Sequence, residues 1–414
     1  MKPRLMTLAP IALTILLTAP GARAQSGQAI TGLWDATLDL NGTKIPFKME
    51  FAGDGNNVKG WFFNGDEKEI SNSGKFENGS LILNFEIYAS VLKLNLKNGA
   101  LDGDYSTRGK PVGAIHAVRA TGRPSADAGA PDIDGIWDVE NVNSSKKDEK
   151  AWRLIVHQTG GDVSGAILRV DGDTGTLTGG YKDGKFVLSH FSGARPALLT
   201  ITPQRDGTLA IELAGLHHEG QIYAIRPAEA RAKGLPEPTN ADQHTGVKDP
   251  TRPFTFSFPD LNGKIVSNTD ARFKNKVVVI VITGSWCPNC HDEAPFLEQV
   301  YAKYHSQGLE IVALSFEEAE QLQNPTRLKA FIKEYGVKYT VLLGGETASA
   351  KEKLTQAEDW DAWPTTFFVG RDGLVKGVHA GFPSPGSGEL YKQETAEFVA
   401  RVERLLAENQ TAQR

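Results

Sequence analysis

From about residue 31 the chain alternates apolar and polar residues in short runs. Ile45, Phe47, Met49 and Phe51 are interleaved with Lys44, Pro46, Lys48 and Glu50, and the pattern returns at Leu81, Leu83, Phe85 and at Leu92, Leu94, Leu96. A period of two puts the apolar set on one face of an extended chain, so each run predicts a strand with one buried face. Asn78-Gly79 and Asn98-Gly99 fall between such runs, where a two-residue hairpin turn needs positive φ at both central positions. The text then repeats. Gly32-Leu33-Trp34-Asp35 returns as Gly135-Ile136-Trp137-Asp138, Val58-x-Gly60 as Val163-x-Gly165, Gly79-x-Leu81 as Gly184-x-Phe186, and Ile115-x-Ala117-x-Arg119 as Ile222-x-Ala224-x-Arg226. A duplication of this kind predicts two all-β units, residues 28–124 and 130–226, each of roughly eight antiparallel strands in up-and-down order. Closing each into a barrel would remove its exposed edges.

Residues 227–252 break the alternation. Pro227, Pro236, Pro238 and Pro250 interrupt a polar stretch with no apolar period, which reads as a linker. After Phe254 the period changes again. Lys276 to Ile282 is a continuous Val/Ile run, suited to a strand buried on both faces, and Ala294, Leu297, Tyr301 and Tyr304 share one helical face. Strand text at Leu309–Ser315, Thr340–Leu343 and Thr366–Val369 alternates with helix text at Arg327–Tyr335 and Glu394–Ala407. The expected fold is therefore multidomain: two eight-stranded antiparallel, barrel-like units followed by an α/β domain over 253–410.

Composition adds compartment and exclusions. The 414 residues carry a formal charge of −5, which offers no basic footprint for nucleic acid. Lys2 and Arg4, an apolar stretch from Leu5 to Leu17, and Ala22-Arg23-Ala24 match a cleaved leader over residues 1–24, predicting a soluble exported, periplasmic protein. Such a space is oxidising, yet the chain has only two cysteines, so no disulfide framework holds the fold.

Both cysteines fall in Ser285-Trp286-Cys287-Pro288-Asn289-Cys290, at the junction of the buried strand and the following helix. A helix N-terminus stabilises a thiolate through its dipole and unpaired N–H groups, which marks Cys287 as the exposed nucleophile. Cys290 lies one turn on, placed to close a disulfide and release a mixed-disulfide partner. Pro288 suits the first helical turn, where no N–H is needed.

These residues resemble the thioredoxin superfamily, and more closely the exported TlpA/ResA-like thiol–disulfide oxidoreductases often grouped with the AhpC/TSA redoxins. Phe254-x-Phe256-x-Phe258-Pro259-Asp260-Leu261-Asn262-Gly263-Lys264 looks like the family's N-terminal hairpin. Trp286-Cys287-Pro288-Asn289-Cys290 looks like its active site, with Glu293 and Pro295 at the Glu-x-Pro positions. Pro364-Thr365-Thr366-Phe367-Phe368 looks like the cis-proline segment, followed by Arg371-Asp372-Gly373. The resemblance implies a cis Pro364 against the Cys287 sulfur, a substrate groove formed by Trp286, Trp363 and Thr365, and Glu293 as a partly buried proton acceptor and donor. A carboxylate there raises a neighbouring thiol's pKa, as suits a selective reductant. It further implies no cofactor and no metal, disulfide-bonded client proteins, and a membrane electron donor of the DsbD/CcdA kind. Trp363 departs from the family pattern, which has an aliphatic residue or Thr before the proline. In the β units, Gly-x-Trp with an Arg on the last strand resembles the lipocalin and avidin barrels, where the Arg covers the Trp. A ligand cavity in each barrel competes there with a side-chain-filled barrel used for docking, a ligand or protein partner being open to either unit.

Other readings compete for the same residues. Cys287-Pro288-Asn289-Cys290-His291 also spells a c-type haem attachment motif, but no methionine follows Met49 to serve as an axial ligand, leaving only a distal His such as His305 or His379. A zinc site is short of ligands, and His217-His218 would point to opposite faces of a strand. A purely structural bridge across two residues would close little chain entropy. Hydroperoxide reduction is the main enzymatic alternative, although Thr283 stands four residues before Cys287 and peroxiredoxins place theirs three before. A non-enzymatic envelope protein that binds through its β units is the remaining alternative.

Overall fold

The computed structural model describes residues 29–65, 67–121, 129–140, 147, 149–214 and 222–408. The leader text at 1–24 and His217-His218 lie outside the described residues.

The second β unit is a closed barrel of eight antiparallel strands. Gly135–Glu140 pairs on one side with Trp152–Thr159 and on the other with Ile222–Ile225, and the ring is completed by Asp162–Arg169, Leu177–Lys182, Lys185–His190, Ala197–Pro203 and Leu209–Ala214. A two-residue strand, Gly172–Asp173, folds back on the end of Asp162–Arg169. The first unit differs from the eight-stranded barrel its text predicts. It is a curled sheet of nine strands whose edges are Glu67–Ile70 and Ser73–Glu77. The extra strand reads Glu-Lys-Glu-Ile and buries no full face, so it forms a charged edge instead of joining the ring. The gap is crossed by the Phe76 N–H to the Gly55 carbonyl at 2.7 Å and the Val58 N–H to the Gly74 carbonyl at 3.3 Å.

Both units are filled with side chains, and the duplicated residues do the same work in each. The Trp34 and Trp137 indoles donate to the carbonyls of Ile30 and Ile133, and the guanidinium groups of Arg119 and Arg226 lie over their rings at 4.4 and 3.7 Å. The turns Asn78-Gly79 and Asn98-Gly99 have positive φ at both residues, as a hairpin of this length requires. Phe191 of the second unit inserts into the core of the first, 4.5 Å from the Phe47 ring and 4.8 Å from that of Phe62. Asn64 bonds the Phe191 backbone in both directions.

The α/β domain has a five-stranded sheet in the order Thr340–Glu346, Leu309–Glu317, Val277–Thr283, Thr365–Val369, Val375–Ala380. The first three are parallel, Thr365–Val369 runs antiparallel to them, and Val375–Ala380, antiparallel to that strand, runs in the direction of the first three. All seven side chains of Val277–Thr283 are buried. Val277, Val279 and Val281 meet helices Pro288–Tyr304 and Glu389–Ala407, while Val278, Ile280 and Ile282 meet Phe254, Phe256, Phe273 and Trp360. That two-sided burial is why the strand reads as an unbroken apolar run. The stretch read as a linker is tied down: it holds a short helix, Pro227–Ala232, pairs Gly246–Val247 with Ala357–Glu358, and sets Asp242 against His379 and Arg401. No helix among the described residues is long and apolar enough to cross a membrane.

Candidate active site

The central strand ends at Thr283, and the chain turns through Gly284-Ser285-Trp286 onto the helix Pro288–Tyr304. A Cβ on Gly284 would stand 2.4 Å from the Trp286 indole nitrogen, so the turn needs a glycine. Cys287 is the N-cap: its sulfur accepts the Cys290 N–H at 3.3 Å, satisfying one of the helix's unpaired donors. Its thiol also donates to the Trp363 carbonyl at 3.6 Å, across the cis Trp363–Pro364 peptide. The Cys290 thiol sits one turn inside, and burial, followed by the neighbouring Cys287, pushes it well above the ordinary thiol range; a bond from the Thr283 hydroxyl opposes this.

Glu293 lies on the same helix, 1% exposed, with its carboxyl accepting from the Thr366 hydroxyl at 2.9 Å. Burial pushes its pKa up to about 8, so near neutral pH it holds a proton beside the cysteine pair. Thr365 turns its hydroxyl back to the Ala362 carbonyl at 2.8 Å and fixes the loop before the proline. Trp363 packs edge-on against Trp286 and Trp360, with ring centroids 5.1 and 5.0 Å away, and 6.1 Å from Phe316. Its bulk is thus absorbed into an aromatic wall.

The structure corrects one expectation. Cys287 is 3% exposed, not an open nucleophile. The second β unit covers it: the Asn289 amide, between the two cysteines, donates to the Asp171 carbonyl at 2.7 Å, and Arg195 pairs with Asp292 at 2.7 Å. A cleft of about 380 Å³ remains between the units, lined by Trp286, Cys287 and Trp363 on one side and Arg169 and Arg195 on the other.

Several supporting residues were not legible in the sequence. Glu317, fully buried at the end of the strand Leu309–Glu317, accepts the Ser285 N–H at 2.8 Å and the Ser285 hydroxyl at 2.6 Å, and Arg327, 2% exposed, binds both Ser285 and Glu317. This network holds the turn that presents Cys287. A carboxylate closing a buried, mostly apolar strand was its sole signal. His291 has both ring nitrogens engaged, with Ser285 and Tyr335, and burial lowers its pKa to about 3, so it is neutral. Among the described residues no group of three or more His, Cys, Asp or Glu side chains is arranged to hold a metal.

A family model described as the AhpC/TSA family matches residues 250–378. The thiol-disulfide oxidoreductase ResA of Bacillus thuringiensis subsp. konkukian is 30% identical over 149 residues, 36% of this chain and 74% of that protein. The chain belongs to the ResA-like thiol–disulfide oxidoreductases. ResA of Bacillus subtilis is 32% identical over 126 residues, 30% of this chain and 64% of its own length. Among solved structures, a thioredoxin-family thiol:disulfide interchange protein from Chlorobium tepidum is 25% identical, covering 38% of this chain and 98% of that one with a TM-score of 0.30. Membership of the ResA-like family makes this a redox enzyme with a thioredoxin-like domain, to which two β units of another architecture are attached. The residues that line the cleft beside Cys287 from outside that domain belong to the second β unit.

Proposed function

We propose that the chain is an exported disulfide reductase acting on disulfide-containing client proteins through Cys287 and Cys290. The observation that carries this reading is the pairing of a capped helix-terminal Cys287 with a second thiol one turn on and a protonated carboxyl behind it. The Cys287 thiolate attacks one sulfur of the client disulfide, expelling a client thiolate and forming a mixed disulfide. Cys290, its proton taken by the ionised fraction of Glu293, then attacks the Cys287 sulfur, frees the second client thiol and closes the Cys287–Cys290 bond. Two electrons reach the client. The pair must be reduced again, for which the family resemblance suggests a membrane donor of the DsbD/CcdA kind. Burial of Cys290 favours its protonated or disulfide-bonded form, which supports a selective couple. Export rests on the residue 1–24 text.

The reading is tested with full-length protein and dithiothreitol as electron source. Cys287→Ser should abolish protein-disulfide reduction, and Cys290→Ser should accumulate mixed disulfides; full activity in Cys287→Ser would overturn the assignment. A potential near that of thioredoxin supports reduction, and one near that of DsbA reverses the direction. The AhpC/TSA match favours hydroperoxide reduction as a second reading. Against it, the Thr283 hydroxyl bonds Cys290, not Cys287. Dithiol-driven peroxide turnover that outpaces disulfide reduction would reverse the order.

A further inference from the structure

The segment Arg169–Asp173 of the second β unit lies across the redox site. Val170 packs on Ala362, two residues before the cis-proline, and on Ala380. Gly172 makes a parallel backbone bridge with Phe382, and the Asp171 carbonyl takes the Asn289 amide at 2.7 Å. Glycines permit this approach: a Cβ on Gly172 would lie 1.8 Å from Asn289 Nδ2, and one on Gly381 would lie 2.3 Å from the Val170 carbonyl. Beside it the buried Asp173 carboxylate accepts from the Ser384 N–H and hydroxyl, each at 2.9 Å, and from the Ser387 hydroxyl at 2.5 Å. The space left open is the cleft of about 380 Å³ that Cys287 lines.

We propose that the second β unit is a latch that sets the substrate class of the redox pair. Docked, the pair exchanges with low-molecular-weight disulfides that enter the cleft; a protein client is admitted only when the Arg169–Asp173 segment lifts away. This rests on the reading of Cys287 and Cys290 as the reactive pair. An extended client binds by laying its backbone against the chain beside such a site. Here Asp171 and Gly172 already hold the backbone and amide contacts next to Asn289 and Phe382. The clasp is built of an ion pair and carboxylate–hydroxyl bonds in addition to one small apolar contact, the composition of an interface that opens and closes within one chain. The exchange itself is unchanged: two thiols of the pair become one disulfide as one substrate disulfide becomes two thiols, and a dithiol restores the pair.

The test uses full-length protein, dithiothreitol as electron source, glutathione disulfide as the small probe and insulin as the protein probe. Ser384→Ala/Ser387→Ala removes the clasp from the redox side, and Val170→Asp places a charge in the apolar contact from the other. Each should raise insulin turnover at least fivefold while glutathione disulfide turnover stays within twofold. A variant that unfolds the second unit must give the same rise, since the latch acts by covering. An unchanged ratio of the two activities, or an equal rise in both, overturns the latch. Equal turnover of both probes by wild type and Cys287→Ser would instead remove the reading of the cysteines on which the latch depends.

Discussion

Glu293 shows how a single position can be chemically informative and energetically costly at once. Its carboxyl is protonated to about pH 8 because burial disfavours the charged form, and only the Thr366 hydroxyl opposes that. In the unfolded chain the group ionises near the ordinary Glu value. Below that value both states are protonated and the native state carries no penalty. As pH rises toward about 8 the unfolded state alone loses its proton, so native stability falls, and the loss levels off once the native carboxyl also ionises. Glu293→Gln should remove this slope: urea midpoints at pH 5 and pH 8 should differ less than in wild type, by on the order of 3 kcal/mol in unfolding free energy. A variant with the wild-type slope would show that Glu293 titrates normally. The same substitution should slow the second exchange step, seen as a longer-lived mixed disulfide and most clearly near pH 8, because Gln cannot take the Cys290 proton as the ionised carboxylate can.

At the scale of elements, the turn before the cysteines depends on charges where its flanking strand has none. Glu317 and Arg327 are almost fully buried and bind each other at 3.1 Å while both hold Ser285. Arg327→Met leaves the Glu317 charge without its partner and should cost about 3–5 kcal/mol in chemical denaturation, with the double variant Glu317→Gln/Arg327→Met recovering part of the loss. A cost below about 1 kcal/mol for the single variant would mean that water replaces the guanidinium. The covering segment is sensitive to one atom: Gly172→Ala adds a Cβ into Asn289 Nδ2 on a backbone already at φ 117°, so it should lift the segment. Labelling of the reduced cysteines by a maleimide carried on a polymer chain should then rise severalfold over wild type. No change would place the segment's hold elsewhere.

Across the molecule, the three units unfold together only if their contacts are strong enough to couple them. Phe191 is the clearest such contact, a second-unit side chain within the first unit's aromatic core. Phe191→Ala should cost about 3–5 kcal/mol and, in calorimetry, separate the melting of the first unit from that of the rest. A single unsplit transition at a merely lower temperature would show that the other contacts suffice. The first unit also reaches the redox domain directly, with Tyr88 4.8 Å from the His291 ring on the active-site helix and Arg108 paired to Glu318 beyond the strand Leu309–Glu317. Both β units therefore bear on the redox domain, which gives their attachment to it a structural meaning beyond spacing.

Local text was sufficient wherever the physics is local. Alternation marked the strands because side chains on a strand leave on alternate faces, and the Asn-Gly pairs marked turns because few residues tolerate positive φ. The duplication was legible because each copy must fill its own core, and the two cysteines could be placed at a strand-to-helix junction because a continuous apolar run and a helical period meet there. Burial of Cys287, the Glu317–Arg327 network, the open edge of the first sheet and the clasp over the site were not. Asn289 meets Asp171 across a separation of 118 residues, and no period in the chain encodes a contact at that range. The sequence alone determined which chemistry the chain carries, since thiol exchange needs only two thiols one helical turn apart. The tertiary structure decided what may reach them, because access is a property of surfaces brought together by folding.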